Sequence, residues 1–323
     1  VRVAFDTRGA GDPRGIGRYI RCLHEALLAT AQDDDVVVET HRPRRVDVFH
    51  SPWIDGANVR AGVPQVVTLH DVVPLKRRSE YLRTGMRFRL RYLAVERAQR
   101  VICPTAAVAH DVVERLDVPL ERISVIGEAP APAMRPRPAD EVAAVRERYG
   151  LPDEFLVWVG GMERPDPRKR VAELAATPRE LPLVLVGPAR EWAHALCDST
   201  DAGAPLILTG HVSDDELAAI YTAAHALVFA SDDEGFGLPT VEALACGTPV
   251  AACDVPALRE VLDGRATLVP VDDLPALVAA AHAAARPAPA PPAWSWEDAA
   301  RATWDVYREI AEVRPARPPR RPR

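Results

Sequence analysis

At 323 residues with 48% apolar side chains, the chain has enough apolar material for two cores rather than one, and no apolar run approaches the ~20 residues that cross a bilayer. Charge is divided: residues 1–140 carry 22 Lys and Arg against 18 Asp and Glu, and the remainder 18 against 28, which suggests two domains with different partners. The five cysteines, Cys22, Cys103, Cys197, Cys246 and Cys253, have no metal-ligand spacing, and with no leader-like opening segment they point to a reducing, cytoplasmic protein.

In chain order, "VRVAFD" is a short apolar run that reads as a strand, and "GAGDPRGIGRY" (9–19) is a glycine-rich turn leading into the helical spacing of "GIGRYIRCLHEALLA". Three further strands follow in "VDVFH" (46–50), "QVVTLH" (65–70) and "RVICPT" (100–105). Residues 76–100 hold nine basic residues and two acids, with Arg83, Arg87 and Arg91 in one helix stripe. That stripe reads as a solvated face or, more sharply, as a docking surface for an anionic acceptor or the membrane surface, a peripheral contact. Aromatics are too few there for nucleic acid. "PAPAMRPRP" (130–138) separates two halves and is expected to act as a hinge. Beyond it "FLVWVGG", "LPLVLVG", "PLILTG", "HALVFAS", "PVAACD" and "ATLVPV" repeat the pattern of short apolar strands between helices. "WSWEDAARATWDVYREIAEV" (294–313) opens with Ser295 and Asp298 in capping-box spacing and carries Trp296, Ala300, Thr303, Trp304, Tyr307 and Ile310 on one face. It is expected to be a structural helix packed across a domain, before a disordered Arg/Pro tail at 314–323.

Strands apolar on both faces, alternating with helices, belong to parallel sheets covered on both sides. The fold class is therefore α/β, with two doubly wound domains expected at 1–135 and 136–293. Ligands in such sheets bind at the carboxyl ends of strands. Those ends carry Asp6, His50, His70, Asp71, Gly160, His211 and the loop Ser231–Glu234, expected to face one another across a cleft.

The richest constellation is "EGFGLPTVEALACGTPV" (234–250). Its Gly-x-Gly turn leaves a strand, Pro239 suits the start of a helix and Gly247 the residue past its end. Glu234 is expected in the loop and Glu242 in the first turn, while the N–H groups around Phe236, Gly237 and Leu238 can take an anion. The chain has two lysines, Lys76 and Lys169, against 38 arginines. Lys169 sits in a basic island with Arg164, Arg168 and Arg170 in an otherwise acidic half. The ordinary reading of these residues is a solvated loop and a dipole-matched helix; their coincidence at strand ends favours a ligand site. Gly9, Gly11 and Gly15 miss the dinucleotide spacing, which weakens a nicotinamide reading. Asp232 and Asp233, and the run Asp33–Asp35, have no partner set for a metal, and none is expected.

The stretch "EGFGLPTVEALACGTPVAACDVPALREVL", with "LTGHVSDDELAAIYTAAHALVFAS" before it and "FDTRGAGDPRGIGRYI" and "VVTLHDVVPL" in the first half, resembles the retaining, nucleotide-sugar-dependent glycosyltransferases of family four, in particular bacterial mannosyltransferase-like members. The resemblance implies a GT-B fold of two Rossmann-like domains, with the acceptor on the first and the donor on the second. It implies Glu234 beside the transferred sugar, Glu242 on the ribose hydroxyls, Lys169 on the diphosphate, and His70 near the donor sugar and reacting hydroxyl. It further implies Gly15, Gly17, Arg164, Phe236, Gly237 and Leu238 around the diphosphate, and His211 and Val212 at the base. Many relatives have an arginine where this chain has Gly161, and Arg164 is the expected substitute. No cofactor is expected beyond the nucleoside-diphosphate sugar itself. The acceptor would be a glycan, a lipid-linked or a small-molecule hydroxyl. Two other readings remain at this point: a nucleotide-sugar epimerase of the same fold, and a catalytically silent nucleotide-sugar-binding module.

Overall fold

The computed structural model describes residues 1–77, 85–199 and 202–312. The expected tail at 314–323 and Arg83 lie outside the described residues, as does the side chain of Arg87. Arg91, the third member of the basic stripe, is ion-paired with Asp55.

Two six-stranded sheets form the framework, and every paired strand is parallel. The first contains β1 (Arg2–Phe5), β2 (Val36–Glu39), β3 (Val48–Ser51), β4 (Gln65–Thr68), β5 (Arg100–Cys103) and β6 (Ile123–Val125), in the order β2-β1-β3-β4-β5-β6. The second contains β7 (Leu156–Val159), β8 (Leu183–Val186), β9 (Leu206–Gly210), β10 (Ala226–Phe229), β11 (Val250–Cys253) and β12 (Thr267–Val269), in the order β12-β11-β10-β7-β8-β9. Each order reverses once: between β1 and β3 in the first sheet, between β7 and β10 in the second. Such a reversal opens a crevice at the carboxyl ends of the two strands that flank it.

Ten of the twelve strands among the described residues coincide with apolar runs recognised in the sequence. The exceptions are the partly exposed edges β2 and β6. The helices in chain order are α1 (Gly15–Thr30), α2 (Val73–Lys76), α3 (Gly85–Glu96), α4 (Ala106–Leu116), α5 (Ala139–Tyr149), α6 (Val171–Ala176), α7 (Glu191–Ser199), α8 (Asp214–Ala223), α9 (Leu238–Ala245), α10 (Pro256–Leu262), α11 (Leu274–His282) and α12 (Trp296–Glu312). No described helix is long and apolar enough to cross a membrane.

The chain divides into two compact units: residues 1–11, 19–127 and 295–323 in the first, residues 12–18 and 128–294 in the second. The passage between them thus falls at Gly127 and Glu128, ahead of the proline-rich segment, rather than at 135. That segment is part of the second unit and is tied down within it. Met134 is buried, and Arg137 bonds to Ala133 O, to Asp215 at 2.5 Å and to Glu141 at 3.3 Å. In the second unit Leu156, Trp158, Leu183, Leu185, Ala226 and Val228 form the core between sheet and helices. In the first, Val67, Leu69, Val95, Val101 and Val112 do so on one face. Helix α12 belongs to the first unit and buries the whole expected stripe from Trp296 to Ile310. Its start is capped as the sequence suggests: Ser295 Oγ accepts from the Asp298 N–H at 3.0 Å and donates to the Asp298 carboxylate at 2.6 Å.

Candidate active site

The loops that leave β7 and β10 flank the reversal of the second sheet, and they carry Arg164, Lys169, Glu234 and the turn of Phe236, Gly237 and Leu238. After β10 the chain turns through Glu234 and Gly235 into α9, whose N-cap is Gly237 at φ 86°. A Cβ there would meet Leu258 Cδ2 at 2.5 Å, so both backbone angle and space require glycine. Among the described residues no protein group accepts from the N–H groups of Phe236, Gly237 and Leu238, whereas the Thr240 N–H is taken by Gly237 O at 2.9 Å. The Phe236 and Leu238 side chains turn inward and pack with Val241 and Val261. Main chain rather than side chain is therefore what this turn offers a ligand, and a helix N-terminus with open N–H groups suits an anion.

The helix begins one residue before Pro239, and Glu242 is its fifth residue. It lies beyond the first turn where the sequence reading put it, so dipole matching does not account for it. Glu242 is fully buried. Arg18, from the first turn of α1 and counted with the second unit, donates to Glu242 Oε1 and, 2.5 Å away, to Asp214 Oδ1. Among the described residues Glu242 Oε2 and the buried Tyr221 hydroxyl make no hydrogen bond of ordinary geometry, although the two groups are close enough for the carboxylate to act on the phenol. Burial pushes the Glu242 carboxyl above its usual range, and the Arg18 charge pulls it back only in part. Burial would lower the Arg18 guanidinium, but Glu242 and Asp214 outweigh it and hold the cation. An unsatisfied, buried carboxylate oxygen is costly, and such sites are where a ligand's hydroxyls find an acceptor.

Glu234 is met by Arg168, whose Nη1 lies 3.3 Å from its Oε2 and 3.3 Å from the Asp233 carbonyl. The loop after β7 reaches the loop after β10 through its main chain as well, with the Asp232 N–H donating to Arg168 O at 3.0 Å. Lys169, next along, is half-buried. Its ammonium stands 5.9 Å from the centre of the Trp158 ring. Burial lowers its pKa, the neighbouring Arg168 lowers it further, and Glu234 and Asp166 oppose both. Lys169, Arg168 and Glu234 are thus one electrostatic cluster, with the lysine half-buried rather than in a fully solvated loop.

Arg164, expected to stand in for a side chain at position 161, is exposed and has no ion pair among the described residues. Arg14 is the cation that covers Gly161: its Cδ would lie 3.1 Å from a Cβ there. It pairs with Asp12 at 2.6 Å and approaches Glu163 at 3.8 Å, and its charge reaches Lys169. Arg170 is turned to Glu173 at 2.6 Å and to the Val271 carbonyl, a structural role. Gly15 opens α1, with Leu238 Cδ1 3.8 Å from the position of a Cβ. Gly17 cannot carry one, since it would sit 1.9 Å from the Asp12 carbonyl oxygen. His211 is exposed and Val212 buried, just ahead of the Ser213 cap of α8 and close in sequence to Asp214.

His70 belongs to the first unit. Its Nε2 donates to the Pro52 carbonyl at 3.0 Å, and its ring meets Tyr19 edge-on with centroids 4.5 Å apart. His50, the weaker candidate, is fully buried between Tyr307 and Thr68. Away from these residues, His110, Asp111 and Glu114 cluster on α4. Lys76 Nζ lies 2.6 Å from Asp111 there, so that carboxylate already has a cation.

Sequence reasoning missed Arg18, Arg14 and Tyr221, and passed over Arg168 in favour of Arg164. The pairing of Arg18 with Glu242 spans 224 positions and leaves no local signal. For Arg168 a signal existed: it adjoins the lone lysine of its half.

Comparison with known proteins gives two family profiles, described as Glycosyl transferases group 1 over residues 140–286 and Glycosyltransferase Family 4 over residues 13–128. The D-inositol 3-phosphate glycosyltransferase of Xylanimonas cellulosilytica is 32% identical over 317 residues, covering 86% of this chain and 76% of that protein. The serotype-specific mannosyltransferase WbdA of Escherichia coli is 32% identical over 216 residues, 61% of this chain. The match spans about a quarter of WbdA, 26% of its length. Among solved structures, Anabaena HepE in complex with UDP and glucose has a TM-score of 0.64 at 16% identity, covering 97% of this chain and 98% of that one. Sucrose-phosphate synthase from Thermosynechococcus elongatus has 0.67 at 22% identity, covering 96% of each. These likenesses show the fold, two doubly wound domains of GT-B type.

Proposed function

Because the chain belongs to the family 4 (group 1) glycosyltransferases, we propose that it transfers a sugar from a nucleoside-diphosphate sugar to an acceptor hydroxyl, with retention of the anomeric configuration and without a bound metal. The observation that carries this reading is the cluster of Lys169, Arg168 and Glu234 at the reversal of the second sheet, beside the open N–H groups at the start of α9. Lys169 and the helix start stabilise the leaving diphosphate; charge developing in a water-poor site is where fixed donors count most. Arg168 holds Glu234 by the sugar, where the carboxylate faces the positive charge that develops at the anomeric carbon. Glu242 Oε2 accepts from the ribose, and a cis-diol claiming both carboxylate oxygens requires Arg18 to share Oε1. His70 works at the sugar and the reacting hydroxyl. The departing phosphate oxygen takes the acceptor's proton on the same face, so no residue forms a covalent intermediate.

The curated relatives are named as transferases, which favours transfer over epimerisation. HepE was solved with UDP-glucose and WbdA is named a mannosyltransferase, so uridine and guanosine donors carrying glucose or mannose are the first to try. The test is a panel of nucleotide sugars with proton NMR of the first product. From an α-linked donor an α product is expected; a β product overturns retention, and turnover of donor without acceptor to an isomer overturns transfer.

A further inference from the structure

In the first unit, the loop that leads into β4 and the chain between α3 and β5 border an open cavity of about 390 Å³. That volume falls within the range of small-molecule sites. Gln65, the first residue of β4, is buried and ties the surroundings together. Its side chain accepts from the Asn58 N–H at 2.9 Å and donates to the carbonyls of Asn58 and Ala94 at 3.1 and 3.3 Å. Its own N–H donates to Gln99 Oε1 at 2.6 Å, and its carbonyl accepts from the Gln99 N–H at 2.9 Å. Loop, helix and strand start are thus held around one glutamine.

The polar groups left over on the cavity wall are mostly donors. An amide oxygen that accepts from a main-chain N–H fixes the orientation of its group, so Gln99 has its NH₂ end to offer. Among the described residues the side chains of Asn58 and Arg97 make no hydrogen bond or ion pair, and the Gly62 N–H has no acceptor. Gly62 stands at φ 74° with open space where a Cβ would be, so its main chain is uncovered. Arg97 follows the last residue of α3, where a cation ordinarily serves the final carbonyls. Here Arg122 serves them instead, donating from Nη1 to Glu96 O and Ala98 O at 3.0 and 3.1 Å. Among the described residues no acidic side chain lines the cavity.

We propose that this cavity binds a phosphate group, carried on a small molecule or a lipid headgroup, with Arg97 as its charge partner and Asn58, Gln99 and the Gly62 N–H as further donors. These groups come from three stretches of chain and reach a ligand from several sides. A tetrahedral phosphate takes hydrogen bonds that way, whereas a carboxylate takes them near one plane. Val59 and Pro64 give the carbon body of the ligand an apolar wall. The site stands apart from the transfer chemistry: Gln65 and Gln99 lie at the amino ends of β4 and β5, and His70 lies beyond the carboxyl end of β4. The two ends of that strand are on the order of 10 Å apart.

The test is a titration of the nitrogen-labelled protein with glycerol 3-phosphate, followed by NMR. A phosphate monoester also suits the start of α9, so the sites are read apart: the Gly62 amide and the Gln99 side chain report the cavity, and the Gly237 amide reports the turn. Saturable shifts are expected at Gly62 and Gln99. In Arg97→Gln the Kd read there should rise about tenfold or more, with the response at Gly237 unchanged. Asn58→Ala is the second variant, read in place of Arg97→Gln should that protein fail to fold. The lipid source is tested by sedimentation with phosphatidylcholine vesicles containing phosphatidic acid. Vesicle binding that needs Arg97, with no cavity response to the soluble monoester, assigns the phosphate to a headgroup; the reverse assigns it to a small molecule. No saturable shift at Gly62 and Gln99 together with no Arg97-dependent vesicle binding overturns the proposal. Equal shifts from chloride at matched ionic strength overturn it too, since they mark a solvated arginine. No readout uses sugar transfer, so the outcome is independent of the function proposed above.

Discussion

Lys169 and Arg168 adjoin in sequence but meet different things: Arg168 spends its charge on Glu234 and Asp166, at 3.3 and 3.4 Å, while Lys169 is half-buried beside Trp158. The lysine's charge is the one left for a ligand. Lys169→Ala should lower kcat by ~10²–10³-fold with the fold intact; steady-state kinetics beside a thermal melt check this, and a loss under about threefold would return the residue to a structural role. Glu242 gives a prediction in pH. Its carboxyl is raised, so the folded protein binds that proton more tightly than the unfolded one does. The associated stability is fullest at low pH, below the unfolded value, and is lost as pH rises through the raised folded value. Wild type should therefore gain stability relative to Glu242→Gln as pH falls from neutral towards the ordinary carboxylate range, as read by urea melts of the two proteins. A difference independent of pH would contradict the raised value. The sequence made Lys169 legible through rarity and Glu242 through its motif. It gave no hint of Arg18, because a contact across 224 positions is written in the fold alone.

At the scale of elements, α9 and the turn before it depend on one backbone angle. Gly237→Ala forces a Cβ onto a residue at φ 86° and against Leu258, which should cost about 1–3 kcal/mol. Calorimetry should show a midpoint lower by several degrees, and nucleoside-diphosphate binding should weaken because the N–H groups of the turn shift. An unchanged midpoint would mean that Leu258 and the loop give way freely. The far end of the same helix was legible in full: Gly247, at φ 76°, follows the last turn as the sequence suggests. Its beginning was not, since Pro239 is equally at home at the first or the second position, and the choice moves Glu242 out of the first turn. The buried central strands were all readable; of the partly exposed edges, β9 and β12 were read and β2, where Val36 and Glu39 are exposed, was not.

For the whole molecule, two units with separate cores should unfold with different responses to ligand. The groups assigned to nucleotide all lie in the second unit. A nucleoside diphosphate at a hundred times its Kd should raise that unit's stability by about 2.7 kcal/mol, so its calorimetric transition moves up more than the first unit's. Equal shifts would mean a single cooperative block. Activity should also persist in excess chelator, since Lys169, Arg168 and the start of α9 supply the positive potential; loss restored by Mg²⁺ or Mn²⁺ would overturn the metal-free proposal. Length and charge foretold two domains, and the proline-rich segment looked like their border. Proline there reflects irregular chain packed into one unit, with Met134 buried and Arg137 anchored, which composition cannot distinguish from a linker.

Helix α12 is separated from the rest of its unit by residues 128–294, all of which a ribosome must make first. At about 5–20 residues per second that interval lasts roughly 10–30 s. During it the nascent first sheet has no Trp304 or Tyr307 to cover it, and His50 and the Leu27 carbonyl lack the partners they have at the end. The second unit can meanwhile close its own sheet. Vectorial synthesis therefore reverses the order in the gene: the part begun first is the part finished last, and until then its exposed apolar socket is a natural target for a chaperone.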